Sequence, residues 1–186
     1  MTERVRLPRL RGLIVSLIAL GSLLAIVGSS IVLGTGQSSL AGVRNATAQF
    51  HDLAAAGRAG YGQFYICTDQ AGEGAMGQHY VNGDLVGTTE VDPLHPEALV
   101  YEPKPGGGYR LVGVEYVTFQ AAWDASHNSR PALFGRTFAL VNEGNRYGLP
   151  AFYQLHVWLW RPNPSGMFND WNPSVTCRGN GDPAGG

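Results

Sequence analysis

Beyond residue 61, glycine and proline repeatedly interrupt the chain, and the pieces left between them are short, aromatic and β-branched. The whole sequence holds 26 Gly and 11 Pro in 186 residues, so turns are abundant and long helices are excluded from most of it. The pieces at 63–68, 76–82, 98–102, 109–119, 136–141 and 151–160 read as strands. They succeed one another too closely for helical crossovers, which rules out a doubly wound parallel sheet. Gly106-Gly107-Gly108 predicts a hairpin loop, and Asn82-Gly83-Asp84 a tight turn. Only residues 45–58 carry a helical pattern: Phe50, Leu53 and Ala54 fall at i, i+3 and i+4, Asn45 or Thr47 can cap the start, and Gly57 and Gly60 end it. The expected fold is α+β and mainly antiparallel β, a sandwich or small barrel-like sheet with one N-terminal helix.

The N-terminus has a different character. Arg4, Arg6, Arg9 and Arg11 face a single acidic residue, Glu3, and residues 13–34 contain no charge at all. That run is long enough to span a bilayer as a helix. Its small residues, with Gly34-Thr35-Gly36 and Ala46-Thr47-Ala48 beyond them, also offer cleavage positions. Residues 1–36 are therefore expected to be a transmembrane anchor or a signal peptide. The positive-inside rule places the chain from residue 37 onward outside the cytoplasm, attached to the cell membrane or secreted if the segment is cleaved. No cysteine lies directly after the apolar run, which excludes a lipoprotein anchor. Residues 37–44 read as a linker, 45–177 as the exported domain and 178–186 as a flexible tail.

The net charge of −1 conceals this division. With the four arginines and Glu3 set aside, nine basic and thirteen acidic groups remain, so the rest of the chain stands at −4. Such a balance gives no electrostatic basis for binding nucleic acid. Cys67 and Cys177 are the only cysteines. In an oxidising compartment they are expected to pair, tying the beginning of the domain to its end.

Strand alternation then selects candidate site residues. Along 153–160, Tyr153, Leu155, Val157 and Leu159 point one way and form a core face, whereas Gln154, His156, Trp158 and Trp160 point the other. The second face has the composition of a pocket wall. In the 109–119 strand, Glu115 lies on the face opposite Val114 and Tyr116. His79 and Glu102 sit within two further strands. Two imidazoles and two carboxylates, His79, His156, Glu102 and Glu115, make a normal ligand set for a divalent transition metal such as zinc. Gln154, Trp158, Trp160 and Trp171 would line a small-ligand pocket beside it, and the Pro- and Asn-rich run 161–173 reads either as a rigid loop packed on itself or as a lid that carries Trp171. The same His/Glu set suits an extracytoplasmic hydrolase. A structural envelope protein would instead leave the four side chains scattered over the surface; taken singly, the histidines read as hydrogen-bonded core groups and the glutamates as pointing to solvent or pairing with Arg110 and Arg136. No nucleophile elbow, phosphate loop or dinucleotide fingerprint is present.

The run Gly74-Ala75-Met76-Gly77-Gln78-His79-Tyr80-Val81-Asn82, the segment 96–102, Tyr147-Gly148-Leu149-Pro150, Leu155-His156-Val157-Trp158, and Trp171-Asn172-Pro173 with Cys177 together resemble a family of uncharacterised exported bacterial proteins. The resemblance spans about residues 46–177. It implies export and a bacterial origin, and it assigns no role to any residue.

Overall fold

The computed structural model describes residues 39–180. The anchor or leader expected over 1–36 and the end of the tail lie outside them. Among the described residues, no helix is long and apolar enough to cross a membrane.

The sheet is antiparallel and six-stranded. Its strands are β1 (Gly62–Gln70), β2 (Gly74–Val81), β3 (Ala98–Pro103), β4 (Tyr109–Phe119), β7 (Ala139–Val141) and β8 (Phe152–Val157), in the order β1-β2-β3-β4-β8-β7. A separate two-stranded ribbon joins β5 (Ala132–Leu133) to β6 (Arg136–Thr137). The α+β expectation holds, and the sheet curls into a half-barrel. The Gly106-Gly107-Gly108 hairpin forms as expected; all three residues have positive φ, the region that glycine alone enters without cost.

Alternation splits the sheet into two faces. The outer one carries Leu99, Tyr101, Val114, Tyr116, Tyr153, Leu155 and Val157, and packs with Val43, Phe50 and Ala56 of the N-terminal helices in one core. The Tyr101 hydroxyl donates to the Phe50 carbonyl at 2.8 Å, which satisfies a buried phenol and fixes the helices on the sheet. On the inner face, Val100 and Trp158, with Val112 at the irregularity that shifts the β3–β4 register, pack with Ala75, Val175 and Cys177. The chain's last described segment thus plugs one end of the half-barrel. The Cys67–Cys177 disulfide closes it there, across 110 residues.

Three local expectations are corrected. The single helix over 45–58 is two helices, α1 (Leu40–Thr47) and α2 (Leu53–Arg58), with a 3-10 turn (Ala48–His51) between them. Helix α1 begins inside the supposed linker because the Ser39 side chain caps it and Val43 is wholly buried. The break falls at Asp52, whose extended backbone and carboxylate cap α2 through the Ala54 amide. The turn at 82–84 is the start of a short helix, α3 (Gly83–Val86), capped by Asn82. The strand expected over 136–141 divides at Phe138, whose amide donates to Pro131 and whose ring is buried in the outer core.

Candidate metal centre

Strands β2, β4 and β8 supply His79, Glu115 and His156, all inward-facing. Glu115 lies directly opposite His156 in the β4–β8 ladder. His79 pairs with Val100, which pairs with Gly113. In a flat sheet, β2 and β8 would stand three strand spacings apart, about 14 Å. The two imidazole centroids are instead 5.4 Å apart, crossing at 81°. The curl of the sheet therefore creates the site: side chains from distant strands converge on the inner face. Gly113 permits this curl. A Cβ there would stand 2.7 Å from the Val157 carbonyl oxygen, so any larger residue would push β4 away from β8.

One donor atom from each of His79, Glu115 and His156 lies within 4.8 Å of the others. His79 Nε2 is 3.2 Å from Glu115 Oε2, and His156 Nδ1 is 4.0 Å from Glu115 Oε1. Donors on a tetrahedral zinc are roughly 3.4 Å apart, given bonds of about 2.1 Å. The first separation already fits, and adjustment of about an ångström brings in the third donor. His79 Nε2 approaches the carboxylate at ion-pair distance without the alignment of a hydrogen bond, and neither nitrogen of His156 has a partner. Buried imidazole nitrogens are normally hydrogen-bonded. Here His79 Nε2 and His156 Nδ1, on rings 9% and 0% exposed, face one carboxylate at 3.2 and 4.0 Å, and neither His156 nitrogen has a hydrogen-bond partner.

Protonation favours ligation. Burial pushes His156 down to about 4, outweighing the opposite pull of Glu115, so its ring is neutral and its lone pair free at neutral pH. Burial alone would raise Glu115. The facing His79, with His156 behind it, more than offsets that, and the carboxyl sits below its ordinary range as an anion.

His79 and Glu115 also line one end of a cavity of about 390 Å³. Its other walls come from Val81, Val117, Phe119 and Phe152 on the sheet, and from Phe64 and Tyr147 at the rim. Phe64 of the edge strand β1 and Tyr147 of the β7–β8 loop have ring centroids 6.0 Å apart, and Tyr65 meets Tyr147 edge-on at 5.1 Å. These rings bridge the two edges of the curled sheet.

The structure brings together three of the four expected ligands. Glu102 shares the inner face but sits at the far end of β3, where its carboxylate faces the Arg110 guanidinium at 3.6 Å; the donor group does not include it. The pocket residues disperse. Gln154 lines the cavity. Trp158 stacks on the back of His156 at 4.7 Å and 17°, with its indole N–H donating to the Asn169 carbonyl. It fixes the ring's orientation and does not wall the cavity. Trp171 lines a smaller neighbouring cavity of about 330 Å³ that shares Tyr147 and Gln154. Trp160 does not belong to the inner face: β8 ends at Val157, and Trp160 packs on the outer core, edge-on to His51 at 4.4 Å. Two neighbours of the site have roles that strand alternation does not reveal. Tyr147 closes the rim, and Glu97, 2% exposed, accepts a hydrogen bond from the Val117 amide at 3.1 Å. A lone Glu in the segment His-Pro-Glu-Ala-Leu-Val gives no periodic signal of that role.

Compared with protein-family models, with curated proteins and with solved structures, the chain matches none.

Proposed function

We propose that this is an extracytoplasmic metal-binding domain that holds a divalent transition ion, zinc being the simplest fit, on His79, Glu115 and His156. The observation that supports the reading is the convergence of two buried imidazoles, one nitrogen from each, on the buried Glu115 carboxylate, with both His156 nitrogens lacking a hydrogen-bond partner. Two nitrogens and one carboxylate oxygen form a normal donor set for zinc. The opposing idea, a structural protein without a site, expects these side chains to be dispersed, and their convergence counts against it. The domain's location outside the cytoplasm is supported by the disulfide and by the Arg-rich, then uncharged, N-terminal sequence. Attachment to the membrane would come through residues 1–36.

The test is metal content and affinity. The purified full chain, treated with chelator and then titrated with zinc, should bind one equivalent and melt at higher temperature with the metal. Glu115→Gln keeps the shape of the side chain and should weaken binding by at least tenfold. Zinc uptake unchanged by Glu115→Gln and by His156→Ala would refute the assignment.

A further inference from the structure

We infer that the metal centre is the anchor for an amphiphilic monocarboxylate, whose carboxylate completes the coordination and whose apolar body fills the adjoining cavity. This inference rests on the metal reading above and gives that site a ligand class.

Three features point the same way. First, the protein supplies three donors, and a three-donor zinc site keeps a position open for water or a ligand. The cavity is the accessible side of the donor group: His79 and Glu115 line it, whereas Trp158 is stacked against His156 from behind, so a ligand completing the coordination would come from the cavity. Second, the charge count selects an anion. A divalent ion with one carboxylate and two neutral imidazoles leaves a net charge of +1 in a low-dielectric site, and a monoanion cancels it. Among the residues lining the cavity, only the two metal ligands are ionisable at neutral pH; Asp170 and Glu97 couple to Glu115 from outside the cavity and neither reaches its wall. Third, the rest of the wall is apolar. Val81, Val86, Val117, Phe119, Leu149 and Phe152 surround a space of about 390 Å³, within the range of small-ligand pockets. Gln63, Tyr147 and Gln154 are the uncharged polar groups of that wall, too few to recognise a sugar or a peptide through hydrogen bonds. An aliphatic or aryl acid matches both ends of the site. A polar anion such as phosphate matches only the metal end.

The test uses the full chain loaded with cobalt(II), which takes the same donors as zinc and reports its coordination in the visible spectrum. Octanoate should change the cobalt spectrum and bind at least tenfold tighter to the metal-loaded protein than to the metal-free protein. Shortening the chain from octanoate toward acetate should weaken binding by up to about fourfold per methylene. Octanol, with the same tail and no charge, should leave the spectrum unchanged. Equal octanoate affinity with and without cobalt, or a spectrum that octanoate does not alter, would overturn this inference and leave the metal site standing. An affinity independent of chain length would do the same. Failure of the protein to take up cobalt or zinc at all would overturn the metal reading, and this inference with it.

Discussion

Glu97→Gln should stabilise the protein at neutral pH, and the gain should grow as pH rises. Glu97 is 2% exposed, and burial, reinforced by the like charges of Glu115 and Asp92, pushes it up to about 8 from an ordinary value of 4.5. The folded protein thus holds a proton there that the unfolded chain releases above pH 4.5. A group raised in this way contributes fully below its unfolded pKa, and its contribution is lost as pH climbs through the folded value. The slope is about 1.4 kcal/mol per pH unit between 4.5 and 8, and the accumulated loss at pH 7 is about 3 kcal/mol. Glutamine keeps the oxygen that accepts from Val117 and has no proton to lose. Urea denaturation of both proteins in the presence of chelator, at pH 5, 6, 7 and 8, isolates the effect. Titration of other groups, His156 among them, is common to both and cancels in the difference. The variant's advantage should be small at pH 5 and rise by about 1.4 kcal/mol per unit toward pH 8. A difference that stays flat across this window would show that Glu97 ionises normally and that burial does not govern it.

Gly113→Ala should cost about 1–3 kcal/mol, because the new methyl would meet the Val157 carbonyl, and urea denaturation measures the loss. The same variant should weaken zinc binding, since it separates the strands that carry Glu115 and His156. Unchanged stability would mean that β4 and β8 have room to spare. Reduction of the Cys67–Cys177 bridge should add two protons to the mass and lower stability by about 4–5 kcal/mol on the chain-entropy account of a 110-residue loop. A melt under reductant that is displaced by on the order of 10 °C would agree with that figure. A thiol titre of two in the untreated protein would refute the pairing.

The sheet and most of the candidate site could be read from periodicity, since both rest on local alternation. His156 and Glu115 fall on the faces their neighbours predict, because β4 and β8 run regularly through them and pair directly. Alternation failed where the chain leaves the ladder. After Val157, the Trp158 amide turns to the Met167 carbonyl and the Trp160 amide to the Val112 carbonyl, so Trp160 emerges on the outer side. Glu102 has the right face and the wrong height along the strand. Parity reports the first and is silent on the second. The interruption at Asp52 was encoded by a residue that caps better than it propagates, inside a run whose alanines suggested continuity. The Tyr147–Phe64 contact and the Val117–Glu97 hydrogen bond join residues remote in sequence, and no pattern within one segment reveals them.

The order of strands in the chain sets the order in which the site can be born. Synthesis runs from the N-terminus, so His79 exists long before the curl that gives it partners. Glu115 comes next, on β4, but the third donor arrives only with β8, which is among the last strands made. The bridge that fastens β1 waits longer still, for Cys177. A nascent chain stopped anywhere before residue 156 can offer an ion at most two of the three donors. If the proposed metal site is filled, capture of the ion would mark the completion of the sheet and would play no part in guiding its early assembly. On that proposal, an unfinished or truncated copy would be distinguishable from a finished one by its inability to retain the ion.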